Sequence, residues 1–258
     1  MKRLFILALL IFTTTTQAER IPYLAEISVQ LGTEQNLPLS DEIRFTVVSS
    51  NSEAILNSLR ERSNIKVDQL TSSSVVITLK ANSRSIGKLD NRYLSSSFVI
   101  DLEEESTQKF VSGYKGSNET YADIRKMAEY VRGYITNPTY IHSFNVASRT
   151  AKLRSGDCTE YAVLATALAR AEKLPSKVVL GTVILEGNDR VVSYGHAWSE
   201  VWQDGHWQIL DPALYASNFN RHFYLPAMEL ENEGPGYSLD LVKAMQLFPV
   251  KITHLESN

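Results

Sequence analysis

The chain has 258 residues, a formal net charge of −3 and a single cysteine. One cysteine cannot form an internal disulfide, so the fold must be stabilised by packing alone. A mildly acidic chain without a basic stripe is not typical of nucleic-acid-binding proteins, and we expect no nucleic acid among its partners.

The first residues are typical of a secretory signal peptide. Basic residues at 2–3 precede an apolar run over 4–12, and small residues follow at 16–18. The apolar run is too short to cross a bilayer as a stable helix. We therefore predict a signal peptide over residues 1–18 and an exported, periplasmic or secreted protein without stable membrane insertion.

Residues 19–112 are predicted to form a β-rich N-terminal module, because they are rich in Ser, Thr and β-branched residues. Strands are predicted over 43–48, 75–79 and 98–102, and a short amphipathic helix over 53–62. No motif here indicates catalysis, so we interpret the module as structural or partner-binding, with a partner that the sequence does not identify.

After residue 113 the apolar spacing becomes helical. A first helix is predicted from a cap at Ser117 or Asn118 to the stop signal Asn137-Pro138. Further helices are predicted over 146–153 and 158–173. The last of these is rich in alanine and apolar on most sides, which is typical of a helix inside a core.

Three strand-like segments complete the pattern, over 177–185, 191–202 and 206–210. Asp204-Gly205 between the last two is a strong signal for a two-residue hairpin. Helices followed by an antiparallel sheet predict an α+β fold.

Cys158 is a candidate nucleophile at the predicted start of the third helix. Ser155 or Asp157 can cap this helix, and Gly156 and Asp157 mark a turn before it. Unpaired N–H groups at a helix N-terminus favour an anion, so we expect the thiol to ionise more readily than a free one. The alternative is a buried packing residue.

The hairpin register predicts a partner for His196. With Asp204-Gly205 as the turn, His196 faces Ala213, and Asp211 becomes its diagonal neighbour on the same face of the sheet. Diagonal positions lie roughly 7 to 8 Å apart at Cα, whereas a slip of one residue would separate the two side chains.

A thiol, an imidazole and a carboxylate are the groups needed for nucleophilic attack on a carbonyl carbon. The imidazole would hold the thiolate as an ion pair and protonate the leaving amine, and the carboxylate would fix the ring tautomer. The backbone N–H of Cys158 points to where an oxyanion would form, and the sequence does not identify the second donor.

Three ordered motifs resemble those of the transglutaminase-like superfamily. They are Gly-Asp-Cys-Thr-Glu at 156–160, His-Ala-Trp-Ser-Glu-Val at 196–201 and Trp-Gln-Ile-Leu-Asp-Pro at 207–212. The resemblance implies a papain-like fold, with helices packed on an antiparallel sheet and residues 113–258 as the catalytic domain. It also implies that Cys158, His196 and Asp211 form the catalytic triad, and it implies no calcium requirement.

Other candidate site residues are less specific. Trp198 is a candidate substrate-binding residue, although a core aromatic is the commoner interpretation, and Glu160 is interpreted mainly as a structural partner of the helix N-terminus. No HExxH motif or paired cysteine spacing occurs, so neither a metal nor a cofactor is predicted.

The predicted function is that of an exported cysteine-dependent enzyme acting on a protein or peptide substrate. Attack on an amide would form a thioester, which an amine or water then resolves. Two alternatives stay open, a strictly hydrolytic cysteine peptidase and a non-catalytic binding or scaffold protein that keeps the fold.

Overall fold

A computed structural model describes residues 25–60, 62–115, 123–139 and 144–257. The predicted signal peptide over 1–18 and the predicted cap at Ser117 or Asn118 lie outside these ranges. In the described part of the chain, no helix is both long and apolar enough to span a membrane.

The N-terminal half of the chain is made of short strands and helices. These elements are β1 (Ala25–Leu31), β2 (Glu42–Val48), α1 (Ser52–Leu59), β3 (Ile65–Leu70), β4 (Ser74–Lys80), a 3-10 turn (Asn91–Leu94) and α2 (Glu105–Ser112). The strands predicted over 43–48 and 75–79 are confirmed as β2 and β4. The helix predicted over 53–62 is α1, which ends at Leu59.

The strand predicted over 98–102 is wrong, because this segment forms turns that lead into α2. Val99 and Ile100 are fully buried, which explains the strand-like sequence. The Asp101 carboxylate instead accepts hydrogen bonds from the backbone N–H of Ser148 at 2.7 Å and the Thr107 hydroxyl at 3.1 Å. The backbone of Val99 bonds to Glu233 and to Ala147, neither of which belongs to a strand, so no strand ladder forms here.

The C-terminal half carries the predicted helices and hairpin. Its elements are α3 (Ile124–Tyr134), β5 (Asn137–Pro138), α4 (Ala147–Leu153), β6 (Ser155–Gly156), α5 (Cys158–Ala171), β7 (Ser176–Glu186), β8 (Val191–Gln203), β9 (His206–Leu210), β10 (Arg221–Glu229), α6 (Ser238–Gln246) and β11 (Lys251–Ser257). Asp123 caps α3 by accepting from the N–H groups of Arg125 and Lys126. The sequence did not predict β10, α6 or β11.

One large sheet combines strands from both halves. Its order is β10-β7-β8-β1-β11-β2-β4-β3, and β9 pairs with β8 beside this path. Neighbouring strands are antiparallel except β1 and β11, which are parallel. The predicted α+β fold, with helices on a mainly antiparallel sheet, is confirmed. The division of the chain at residue 112 stays a prediction.

The β8–β9 hairpin has the register that Asp204-Gly205 predicts. Gln203 pairs with His206, and both turn residues have positive φ, 55° for Asp204 and 78° for Gly205. Positive φ at both central positions defines the hairpin turn that matches the twist of the strands. The register therefore carries the chain from β9 directly into Asp211.

Helix α5 lies inside the core between the sheet and the other helices. It contacts β7 and β8 on one side and α2, α3 and α4 on the other. The Ser199 hydroxyl on β8 donates to the carbonyl of Ala162 at 2.7 Å and lies 2.9 Å from the Thr166 hydroxyl. These bonds fix the position of the helix along the strand that carries His196.

Candidate active site

Cys158 is the first residue of α5, and its side chain is completely buried. The N-cap is Asp157, one of the two predicted candidates, whose carboxylate accepts from the N–H of Thr159 at 3.0 Å. Glu160 completes a capping box by accepting from the N–H of Asp157, also at 3.0 Å. Two carboxylates therefore satisfy the first turn of the helix beside the thiol.

Glu160 also ties this turn to the loop before α4. Its second carboxylate oxygen accepts from the backbone N–H of Asn145 at 2.6 Å. A Cβ atom at Gly156 would lie only 2.3 Å from the Cβ of Glu160. Glycine is thus needed at 156 for the glutamate to reach both partners, which supports the structural role predicted for Glu160.

His196 and Asp211 form a buried pair. The Nε2 atom of His196 lies 2.8 Å from Oδ2 of Asp211, and the side chains are 1 % and 4 % exposed. The Nδ1 atom of His196 is buried and has no hydrogen-bond partner among the described residues. With Nε2–H donating to the carboxylate, the neutral ring keeps its lone pair on Nδ1.

Four donors hold the Asp211 carboxylate. Oδ1 accepts from the N–H groups of Ala213 at 3.0 Å and Leu214 at 3.2 Å, and Oδ2 accepts from His196 and from the Tyr224 hydroxyl at 2.9 Å. Burial alone would raise the pKa of Asp211, but the interaction with His196 and the hydrogen bonds from Tyr224 and Leu214 outweigh it and lower the pKa. Tyr224 was not predicted, because it belongs to β10, whose position depends on long-range pairing.

The thiol of Cys158 is fully buried and has several acidic side chains around it. Burial is the largest cause that raises its pKa, and the carboxylates of Asp157, Asp211 and Glu160 add to it. A hydrogen bond from the backbone N–H of Ala197 acts in the opposite direction but is outweighed. The pKa therefore lies well above its ordinary value. The prediction that the helix N-terminus would make this thiol ionise more readily is wrong for this closed conformation.

The Asp157 carboxyl has a raised pKa of about 7. Burial is the main cause, and the neighbouring Glu160 adds to it, while hydrogen bonds from Thr159 act against it. The cap of the nucleophile helix is therefore a group that titrates near neutral pH.

Trp198 lies behind the imidazole and not at an open surface. Its ring packs edge-on against Tyr224, with 5.1 Å between centroids, and stacks near His196 at 6.2 Å. The indole is 1 % exposed, and a Cβ at Gly181 would lie 2.7 Å from it. Its role in substrate binding stays a prediction.

No group of three or more His, Cys, Asp or Glu residues that could hold a metal occurs within 25–60, 62–115, 123–139 and 144–257. His142 lies outside these ranges.

The sequence model of the transglutaminase-like superfamily matches residues 108–212. This segment belongs to the transglutaminase-like superfamily. The matched segment contains Cys158, His196 and Asp211, the three residues on which the predicted resemblance depends. Membership of this superfamily supports a cysteine-dependent enzyme at the level of the family.

Several solved structures of low sequence identity align with the chain. A candidate cysteine protease from Cytophaga hutchinsonii is 14% identical with a TM-score of 0.39, over 76% of this chain and 77% of that chain. The periplasmic domain of TgpA from Pseudomonas aeruginosa is 16% identical with a TM-score of 0.40, over 76% and 83% of the two chains. No curated protein matches the sequence.

Proposed function

We propose that the protein is an exported cysteine-dependent enzyme that attacks an amide through a thioester intermediate. Cys158 is the nucleophile, His196 the general base and acid, and Asp211 the residue that orients the imidazole. The substrate is a glutamine side chain or a peptide bond of a protein or peptide. Residues 113–258 form the catalytic domain, and residues 19–112 form a structural or partner-binding module behind a signal peptide over 1–18.

The observation that supports this proposal best is the hydrogen bonding of the two nitrogens of the His196 ring. One ring nitrogen is bound to a buried carboxylate, and the other is buried without a described partner. The backbone N–H of Ala197, the next residue along β8, is one of the groups that act to lower the pKa of Cys158. A free lone pair on an imidazole held by a carboxylate is the feature that a general base requires.

The proposed reaction begins with transfer of the Cys158 proton to Nδ1 of His196. The thiolate attacks the amide carbonyl carbon, and the carbonyl oxygen takes up the negative charge near the backbone N–H of Cys158. The imidazolium then donates its proton to the leaving amine as the C–N bond breaks. Asp211 stabilises the imidazolium throughout and stays ionised.

The thioester is resolved in the second half of the reaction. Water yields a carboxylic acid, and an amine yields a new amide, with His196 again removing the proton of the attacking group. The two outcomes differ in how well the cleft excludes water once substrate is bound.

One observation favours the non-catalytic alternative. Cys158 and His196 are both 0 % exposed, so the closed conformation gives a substrate no access to the thiol. An enzyme with this structure must open before it reacts, whereas a scaffold protein need not. The reactivity of the thiol in the folded protein separates the two functions.

The test is the pH dependence of Cys158 alkylation by iodoacetamide, measured by intact mass. A single cysteine yields a single adduct, so the reading is unambiguous. If the folded protein opens and the thiol then forms an ion pair with His196, we expect labelling below the free-thiol pKa of about 8.5, slowed at least about tenfold in His196→Ala. His206→Ala, at the start of β9, is the matched control and should label like wild type. Labelling only upon unfolding would contradict an activated nucleophile.

The acceptor is identified with a glutamine-containing protein and a fluorescent primary amine. Incorporation of the amine indicates transfer, and release of ammonia without incorporation indicates hydrolysis. New peptide termini in the same sample indicate a peptidase. Cys158→Ala must abolish whichever product is found.

A further inference from the structure

Tyr224 contacts the carboxylate that binds His196. Its hydroxyl lies 2.9 Å from Oδ2 of Asp211, the oxygen that also accepts the His196 hydrogen bond at 2.8 Å. This carboxylate is the only hydrogen-bond partner that the described residues offer to the hydroxyl. Because an ionised carboxylate can only accept, the tyrosine donates.

The Tyr224 ring is held rigidly. It is 5 % exposed, it packs edge-on against Trp198, and its backbone pairs with Val183 of β7. The hydroxyl is therefore presented from the sheet by a side chain with two torsions. It cannot follow Asp211 if the carboxylate rotates.

The two oxygens of Asp211 are held from different directions. Backbone N–H groups of Ala213 and Leu214 bind Oδ1, whereas His196 and Tyr224 bind Oδ2. Without the tyrosine, the imidazole would be the only group holding Oδ2. Oδ2 of Asp211, which orients the His196 ring, would then be held by that ring alone.

We propose that Tyr224 is a positioning residue, whose hydroxyl holds Asp211 in the orientation in which the carboxylate binds His196. The inference rests on the proposed function, in which that imidazole serves Cys158. Tyr224 touches no reacting atom and acts through Asp211. The series of groups at the site thus has four members, from Tyr224 through Asp211 and His196 to the thiol.

The electrostatics agree with this role. The titratable groups that face Asp211 are His196 on β8, Cys158 on α5, and His222 and Tyr224 on β10. Burial raises the pKa of Tyr224 well above its ordinary value, so the hydroxyl keeps its proton. Burial also lowers the pKa of His222, which leaves it a neutral neighbour at neutral pH.

The sign of the pH effect follows from the hydrogen bond. The Tyr224 bond is one of the causes that lower the pKa of Asp211. Removing the hydroxyl raises that pKa, so the carboxylate becomes protonated at a higher pH. As the pH falls, the hydrogen bond between Asp211 and His196 is therefore lost at a higher pH than in wild type. One hydrogen bond to a charged group corresponds to a shift of about one pH unit.

The experiment compares Tyr224→Phe with Tyr93→Phe. Tyr93 is a matched control, because its hydroxyl donates to the Glu229 carboxylate, also at 2.9 Å, and its side chain is also buried. The rate of Cys158 alkylation by iodoacetamide is measured between about pH 2.5 and pH 9, because the pKa of Asp211 lies below its ordinary value of 3.8. We expect the acid limb of Tyr224→Phe to move up by about one pH unit, with a plateau rate about fivefold lower. Tyr93→Phe should keep the wild-type profile.

A profile of Tyr224→Phe that coincides with those of wild type and Tyr93→Phe would overturn the proposal and leave the proposed function intact. Folded wild type that takes no label at any pH would instead contradict the proposed function. The tyrosine is then tested by urea unfolding. The stability deficit of Tyr224→Phe should be largest at neutral pH and shrink as the pH falls below about 4, where Asp211 becomes protonated in the unfolded chain. A deficit that does not change with pH would exclude the positioning role.

Discussion

His196 donates through Nε2 to Oδ2 of Asp211 across 2.8 Å, and backbone N–H groups occupy the other carboxylate oxygen. This arrangement dictates what an amide would do at position 211. An asparagine side chain must keep its oxygen toward the backbone N–H groups of Ala213 and Leu214. Its NH2 group would therefore face His196.

Asp211→Asn should abolish most activity while leaving the fold intact. The NH2 group of the new side chain would donate to Nε2 of His196, so the imidazole proton would move to Nδ1 and the base would be lost. We expect activity to fall by about 10² to 10⁴-fold and the free energy of unfolding by about 1 to 3 kcal/mol. Activity and urea unfolding check this together. A variant that loses its cooperative unfolding transition would contradict a mainly catalytic role.

Asp157→Asn should change how stability depends on pH. The pKa of Asp157 is raised to about 7 in the folded protein, so its contribution is fully present below the unfolded pKa and is lost as the pH rises through 7. Asparagine keeps the N-cap without the charge. The free energy of unfolding of the variant, relative to that of wild type, should therefore increase as the pH rises from about 4 to about 8, as measured by urea unfolding.

Asp123→Asn, at the cap of α3, controls for an Asp-to-Asn exchange at a helix N-terminus. The Asp157 prediction would be wrong if the stability difference of Asp157→Asn were the same at both ends of the pH range.

Gly156→Ala should destabilise the start of the nucleophile helix. The new Cβ would lie 2.3 Å from the Cβ of Glu160, so the glutamate must move away from Asp157 and Asn145. Two hydrogen bonds to a buried carboxylate would be lost, at a cost of about 3 kcal/mol or more. Gly133→Ala in α3 is the matched control, because its Cβ meets nothing within 4 Å. The free energy of unfolding, measured by urea unfolding for both variants, should rise by about 0.5 to 1 kcal/mol in Gly133→Ala.

Ser199→Ala should loosen α5 from the strand that carries His196. The hydroxyl binds the carbonyl of Ala162 and the hydroxyl of Thr166, and its removal leaves buried polar groups unpaired, at about 1 to 3 kcal/mol. Ser193→Ala removes a buried hydroxyl of the same strand that has no described partner. That control should be neutral or slightly stabilising, and equal losses for the two variants would show that the α5 contact contributes nothing.

The parts of the site that the sequence predicted are those with local determinants. Asp204-Gly205 sets the hairpin register, and the register alone brings His196 to Asp211. Asp157, directly before Cys158, is a local cap. Each of these features depends on residues close together in the chain, so spacing and residue type suffice to predict them.

The parts that the sequence did not predict depend on distant pairing. Tyr224 reaches Asp211 only because β10 pairs with β7, and the burial that raises the pKa of Cys158 comes from the packing of the sheet and of three other helices around α5. The segment over 98–102 has a strand-like sequence because Val99 and Ile100 are core residues, yet the backbone of Val99 bonds to Glu233 and Ala147, which are not in strands. The spacing of apolar residues indicates which residues are buried, but it does not indicate which backbone segment lies beside them.

The position of β11 has a consequence for the order in which the protein can assemble. β11 (Lys251–Ser257) lies between β1 and β2 in the sheet, although every other described strand precedes it in the chain. β2, β3 and β4 can pair with one another without β11, and β1 can pair with β8, but these two groups of strands have no shared edge. They become one sheet only when residues 251–257 pair with both β1 and β2. Without this strand, the backbone edges of β1 and β2 would be open to pairing with other chains.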